Sequence, residues 1–283
     1  MSPSRIFRAC RVDPGYLLRV YLAEWVVLSA LLASGAWLRG ASLMSMELGP
    51  AHVLLPLVAV PVGWRAASLL HNAGHGNFGA VWLNRIVGEG VANYLGYGFT
   101  NFVLIHALHH AYSDEDDDPV SPRGKSFFAF LVSPLRDATR TARAHLRDRH
   151  GARHTALHWH AETLLFHVLL LLRAACWFVW LGPEVFLTFY VPSVMSNVAI
   201  LAHINFVCHR DRADGTVELV DLTDTLYYRL ANFVTTGGYH HRSHHRHPRL
   251  FDPRTASREP SVPPERPPGL AGYFDIVGIW GPR

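Results

Sequence analysis

The sequence predicts an all-α fold: a polytopic membrane protein with four transmembrane helices and a cytoplasmic helical cap that carries clustered histidines. Three observations lead to it. Hydrophobic residues make up 49% of the 283 positions, and four runs of them approach the ~20 needed to cross a bilayer. Arginines are shared unequally among the connections between those runs. Histidines recur as three close-spaced clusters, all on the arginine-rich side. A soluble protein with four buried helices is the alternative reading.

The first span is expected over residues 16–38, flanked by Arg39, with Glu24 in its early turns at interface depth. The second, over 51–70, runs into the first histidine cluster. The third and fourth, over 163–181 and 185–204, are joined by the short Gly182-Pro183 connection, which makes them antiparallel neighbours. Prolines in the second and fourth are tolerated, because neighbouring helices re-satisfy the freed backbone groups. A cleaved signal peptide does not fit a long first run without a small-residue cleavage site. Between Phe78 and Ile105 a Gly- and Asn-rich apolar stretch is too interrupted for a clean span and reads as interfacial or partly re-entrant helix. Six prolines within residues 253–268 mark a flexible tail segment. No internal repeat is apparent, so residues 1–283 read as one membrane-embedded domain.

Arginine placement sets the orientation. Arg5, Arg8 and Arg11 precede the first span, seven arginines and the only lysine, Lys125, lie between His106 and His160, and ten arginines follow Cys208. The connection after the first span holds only Arg39, and the Gly182-Pro183 turn holds none. Positive residues are retained on the cytoplasmic side, which puts both termini and all three histidine clusters in the cytoplasm. The strong preference for arginine over lysine fits a G+C-rich bacterial genome, so the membrane is expected to be a bacterial cytoplasmic membrane. A formal net charge of +4 invites a nucleic-acid reading, but the arginines form no stripe with aromatics, and topology accounts for them. Arg65 is expected to snorkel to the interface. Arg173 falls near mid-span, where charge is costly and must face protein or a cavity. The three cysteines, Cys10, Cys176 and Cys208, are too few and scattered for a disulfide framework.

The clusters read His71-Asn-Ala-Gly-His75, His106-Ala-Leu-His109-His110 and His241-Arg-Ser-His244-His245. On a helix, residues three and four apart share a face, so each cluster aims two or three imidazoles at a common point. Neutral imidazole is the commonest metal ligand, and eight exceed what one tetrahedral zinc uses, so two metal ions are the simpler account. With no cysteine in the clusters, ligand type leaves zinc, copper, iron and nickel open. A zinc-protease helix needs glutamate after its first histidine as general base; Asn72 stands there instead. A ligand set dominated by histidine keeps positions open for oxygen and suits an iron site that activates O₂.

Two further stretches join the constellation. Asn205 and His209 stand at i and i+4 at the cytoplasmic end of the fourth span, offering an amide for a metal-bound water and a ninth imidazole; helix capping is the plainer alternative. In the acidic run that follows the second cluster, Asp114, Asp116 or Asp118 is expected to accept a hydrogen bond from the far nitrogen of a ligating histidine and fix its tautomer. A solvated acidic loop is the alternative. His52, His145 and His167 read as packed or solvated, and His150, His154, His158 and His160 as a surface face.

At these residues the sequence resembles the integral-membrane fatty acid desaturase superfamily, with its three histidine boxes on the cytosolic face of a four-helix bundle. The likeness runs from about His71 to Pro248. The stretch from His106 through Asp118 and Pro119 is similar to the second box of stearoyl-CoA desaturases and its acidic extension, and Gly238 to Pro248 resembles the third box. Asn205 and His209 match an asparagine and histidine that accompany the boxes. The resemblance implies that His71, His75, His106, His109, His110, His209, His241, His244 and His245 bind two Fe ions, with Asn205 contacting one through water and His240 in an outer shell. It implies an O₂-dependent removal of two hydrogens from a fatty acyl substrate, thioester- or lipid-linked, with electrons from a ferredoxin or a small b-type cytochrome and its reductase. His71 and His75 are four apart, where the stearoyl-CoA subfamily spaces them five apart; the shorter spacing occurs in lipid-linked desaturases and carotenoid oxygenases. A di-iron hydroxylase or ketolase acting on a carotenoid, sterol or alkane is therefore the second reading. A metal-binding membrane protein or cation transporter is a third, against which the imidazoles sit at span ends rather than mid-span. Trp64, Tyr97 and Phe99 are possible walls of an acyl tunnel, with core packing as their alternative role.

Overall fold

A computed structural model describes residues 1–40, 45–212 and 214–256. In chain order, α1 (Pro3–Val12) leads into α2 (Tyr16–Arg39), α3 (Pro50–His75), α4 (Val81–Leu95) and α5 (Phe99–Ala111). After α6 (Phe127–Val132) and α7 (Asp137–His150) come the long helices α8 (Ala156–Leu181) and α9 (Pro183–Cys208), the latter with a π-helical turn at Phe186–Tyr190. A short antiparallel pair, β1 (His209–Asp211) and β2 (Val217–Leu219), is followed by α10 (Leu226–Thr235) and α11 (His241–Arg246). These two strands are the one departure from the all-α expectation among the described residues.

Helices α2, α3, α8 and α9 are long and apolar enough to cross a membrane. Three outrun their expected spans on the histidine-bearing side: α3 continues to His75, α8 begins at Ala156 and α9 runs to Cys208. The added turns are polar enough to leave the hydrocarbon and pack into the cap. Large apolar side chains such as Val26, Val27, Leu57, Leu171 and Met195 are exposed, the belt that lipid covers.

The spans pack as two pairs. In the first, Cys176 Sγ donates to Leu28 O at 3.2 Å and Trp180 Nε1 to Leu31 O at 3.1 Å, tying α8 to α2. In the second, α3 and α9 approach closely at Gly63, where a Cβ would lie 2.1 Å from the Ser193 carbonyl oxygen. Ser196 Oγ, also on α9, donates to Val60 O at 3.1 Å. Small residues and short polar bridges of this kind hold membrane helices together where no hydrophobic difference separates protein from lipid.

Helices α4 and α5 form a hairpin between the two pairs. Its turn is made by Gly96 and Gly98, both at positive φ. At the tip, Tyr94 OH bonds Ser193 Oγ at 2.6 Å and Tyr97 OH donates to Asn197 Oδ1 at 3.1 Å. Ser193 and Asn197 lie in the middle of α9, so the hairpin enters to mid-depth and returns, the partly re-entrant form expected for this stretch. Phe99, considered as a tunnel wall, is instead a fully buried core residue whose ring sits where a Gly88 side chain would be.

Two expectations are corrected. His150 and His154 are buried, not on a surface face. His150 Nε2 bonds Cys10 O at 2.9 Å and His154 Nε2 bonds Glu162 at 3.2 Å, because α7 packs on α1 and α5 while its Arg143 bonds Thr163 and the Glu162 carbonyl of α8, drawing this arginine-rich segment inward. Glu24 is not at interface depth: it pairs with Arg173, the mid-span cation, whose Nε also donates to Asn93 Oδ1 at 3.0 Å. The expected tail over 253–268 lies outside the described residues except for the short 3₁₀ turn Pro253–Thr255 and its neighbour Ala256.

Candidate metal centre

Four segments bring nine imidazoles together. His71 and His75 stand one turn apart at the end of α3, which stops at Gly76 in the left-handed conformation, φ 81°. His106, His109 and His110 occupy the last turns of α5. His209 is the first residue past α9, and His241, His244 and His245 lie on α11. Their ring nitrogens fall into two groups: His71, His75, His106, His110 and His244 in one, and His109, His209, His241 and His245 in the other, with the ligand atoms of each group within 4.8 Å of one another.

The four-residue helical repeat accounts for part of the division. On α5, His106 and His110 are four apart and share a face, and both join the first group, while His109 turns to the second. On α11 the pattern is reversed: His241 and His245 share a face in the second group, and His244 reaches the first. Each of these two short helices therefore contributes to both groups. The groups are adjacent, with the rings of His110 and His245 4.5 Å apart between centroids.

Within the first group the Nε2 atoms of His75 and His106 are 2.7 Å apart, those of His71 and His244 2.9 Å, and those of His110 and His244 3.1 Å. In the second, His209 and His241 are 2.9 Å apart and His241 and His245 3.1 Å. Two nitrogens bound at right angles to one ion, each bond about 2.0–2.1 Å long, stand roughly 3 Å apart. Separations of this size are what neighbouring ligands of a common ion adopt. His109 Nε2 is buried without a hydrogen bond, a costly state for an imidazole nitrogen that a metal ion relieves. The residues present thus fit a pair of ions held by nitrogen ligands.

Two carboxylates orient the second group. Asp118 accepts from His109 Nδ1 at 3.0 Å, and Asp114 from His209 Nδ1 at 2.7 Å. An Nδ1–H committed to a carboxylate leaves Nε2 as a bare lone pair aimed inward. Asp118 is itself held by the backbone N–H groups of Asp114 and Val120, both at 2.9 Å. Asp114 sits at φ 64°, in a turn that folds the acidic run back over the histidines. Asp116 is exposed and is not brought to the centre. The acidic loop is therefore part solvated and part structural.

His240 does not join the nine either. It is buried at the start of α11, its Nδ1 makes no hydrogen bond, and its backbone bridges Asp221. Asn205 donates its amide to Leu201 O at 3.1 Å, one turn before His209. Asn72, in the place of a protease glutamate, is buried and bonds Ser68 O and Asn77, a structural role that suits the absence of a general base there. Trp64 packs edge-on against Tyr227, and Tyr97 bonds α9.

Sequence reading missed Asp221. Buried at 2% exposure, it accepts from Ser243 N at 3.1 Å and from Ser243 Oγ at 2.6 Å. It supplies the N-terminal cap that six-residue α11 lacks from its own His240. The signal was indirect: a helix starting at a histidine needs a cap from elsewhere.

Burial and neighbouring imidazoles hold the ring pKa values low. Both causes push His106, His241 and His244 well below the ordinary histidine range, and His110 down to about 3. His209 is also lowered by burial, against the opposing bond to Asp114. These imidazoles are neutral at pH 7, the form that binds metal.

Four membrane-length helices define an integral-membrane protein, and its two histidine groups could each hold a metal ion. The chain matches the Fatty acid desaturase family over residues 48–275, most of its length, and it belongs to that family. The family is one of membrane oxidoreductases of desaturase and hydroxylase type that typically carry two iron ions. Among curated proteins, none matches the chain.

Proposed function

We propose that this protein is a membrane-bound di-iron fatty acyl desaturase. The observation that carries the reading is the division of nine histidines into two adjacent groups within a chain of the desaturase family. His71, His75, His106, His110 and His244 would hold one iron and His109, His209, His241 and His245 the other, with Asn205 contacting one of them through water. When bound, the two irons supply O₂ activation, in which O₂, two electrons and two protons take two hydrogens from adjacent methylenes and leave a C=C bond and two waters.

The chain's own residues prepare that chemistry. Asp118 and Asp114 fix the tautomers of His109 and His209, and Asp221 fixes the helix that serves both groups. The neutral histidine set leaves the irons' charge available to oxygen rather than cancelling it with carboxylates. Both histidine groups stand at the ends of α3 and α9, where an acyl chain lying among the spans reaches them from the lipid. Arginine placement supports a cytoplasmic position for this side, where a ferredoxin or a small b-type cytochrome would deliver the electrons.

The four-residue spacing of His71 and His75 favours one second reading, a hydroxylase or ketolase acting on a carotenoid, sterol or alkane. Lipid analysis of a strain expressing the protein separates the two. New double bonds, lost in His109→Ala, are the expected result; new hydroxyl or keto groups without double bonds would transfer the assignment to the second reading.

A further inference from the structure

A second site lies away from the histidines. Helices α2, α4 and α8 line a half-open cavity of about 710 Å³ that shares no residue with either histidine group. Its size falls in the range of small-molecule pockets, roughly 300–1,000 Å³. The walls are apolar, with Val27, Leu31, Trp177 and Trp180 among them. Its polar lining is two ion pairs bridged by an amide: Arg85 paired with Glu89 on α4, then Asn93, then Glu24 paired with Arg173.

These groups stand where charge is expensive. Glu24 is about 12 Å along α2 from its start and Arg173 about 12 Å from the end of α8, so the pair lies deep within a hydrocarbon layer of about 30 Å. Arg173 is 2% exposed, but the Glu24, Glu89 and Arg85 side chains are 16, 27 and 32% exposed. Partly open ion pairs at bilayer depth call for a polar partner that lipid tails cannot provide. Gly98 lies against the deep pair: a Cβ there would be 2.7 Å from Arg173 Nη2.

Charge balance selects the ligand. Two arginines and two glutamates already cancel, so a carboxylate, phosphate or ammonium would bring a charge with nothing left to neutralise it. An uncharged oxygen accepts from guanidinium and, as a hydroxyl, donates to carboxylate, without disturbing either pair. We infer that the α2–α4–α8 cavity binds a neutral-headed amphiphile: an apolar chain or ring ending in a hydroxyl or carbonyl, head toward the Glu24–Arg173 pair and body along the tryptophan wall.

Gly90 allows a direct test. It lines the cavity, and a Cβ built on it meets nothing within 4 Å, so a side chain can start there freely and Gly90→Phe directs a ring into the space. The protein is placed in phosphatidylcholine nanodiscs, and quenching of tryptophan fluorescence is followed with three dibrominated C18 probes: the alcohol, the acid and the alkane. The alcohol is expected to quench saturably, at a mole fraction at least tenfold below the other two. Gly90→Phe should weaken it at least tenfold, Gly90→Ala should leave it near wild type, and Trp177→Phe/Trp180→Phe should remove most of the signal. Equal, non-saturable quenching by alcohol and alkane would mean that bulk lipid fills the cleft. Tighter binding of the acid, or alcohol binding indifferent to Gly90→Phe, would also overturn the inference. None of these readouts needs iron or turnover, so they stand apart from the desaturase reading.

Discussion

At the scale of single residues, the two boxes on α5 and α11 show what spacing does and does not reveal. That His106 and His110 share a face was legible from the helical repeat alone. That His109 leaves its neighbours for the other group was not, because the direction depends on where α11 and His209 stand. The acidic run was legible as a source of tautomer-fixing carboxylates, but the choice of Asp114 and Asp118 over Asp116 follows from a turn at φ 64° that no pattern announces. Outer carboxylates of this kind are worth about 10–100-fold in metal affinity. Asp118→Ala should therefore weaken binding by the four-histidine group by roughly that factor while sparing the five-histidine group. Metal titration of the purified variant should show one tight and one weakened site, with Asp116→Ala like wild type; two unchanged sites in Asp118→Ala would count against the assigned role.

The same residues set a pH dependence. An imidazole in the unfolded chain takes up a proton near pH 6.5, whereas His110 in the fold resists until about 3, through burial and the neighbouring His109, His71 and His209. Below pH 6.5 the unfolded state therefore binds more protons than the folded one, and stability falls as pH drops through that window. The slope is about 1.4 kcal/mol per pH unit for each fully shifted imidazole. Metal-stripped protein in detergent should thus melt at a lower temperature at pH 5.5 than at pH 7.5; an equal or higher melting temperature at pH 5.5 would contradict it.

At the scale of elements, α11 depends on a partner twenty residues upstream. Removing Asp221 withdraws a cap worth about 1 kcal/mol and strands two buried donors of Ser243, at roughly 1–3 kcal/mol more. Since α11 feeds both histidine groups, Asp221→Ala should lower occupancy of both, in contrast to Asp118→Ala, and metal counts per chain distinguish the two patterns. The Glu24–Arg173 pair fastens α2 to α8 and, through Asn93, to α4. Breaking it from one side leaves a buried charge unpaired, typically at about 3–5 kcal/mol. Arg173→Leu alone should therefore lower the melting temperature more than Glu24→Leu/Arg173→Leu together; the opposite order would show that the pair is not what holds these helices. The mid-span arginine was visible in the sequence, but its partner was not, because Glu24 looked like an ordinary residue near a helix start.

At the scale of the whole molecule, the four spans were readable, since a run of ~20 apolar residues has few other uses; the expected pairing of α8 with α9 across Gly182-Pro183 was not what forms, because α8 packs on α2 and α9 on α3, and α8 and α9 meet only near the turn. The α4–α5 hairpin was ambiguous for a physical reason: its glycines break the apolar run, and only Tyr94 and Tyr97 reaching Ser193 and Asn197 reveal that it enters the bundle. His150 and His154 misled in the opposite direction, because a helix rich in arginine can still turn one polar face inward when Glu162 and the Cys10 carbonyl wait there. The arginine asymmetry predicts that Arg149 on α7 and Glu47 before α3 lie on opposite sides of the membrane. Arg149→Cys should react with an impermeant maleimide only from the cytoplasmic side and Glu47→Cys only from the other; labelling of both from one side would remove the proposed orientation.

The account turns on two irons lodged among nine imidazoles. X-ray absorption at the iron edge, with iron counted per chain on detergent-purified, iron-loaded protein, tests that most directly. The expected result is two irons per chain with a first shell of nitrogen and oxygen only. A single iron, or two whose shells survive replacement of His109 and His244 by alanine, would contradict it.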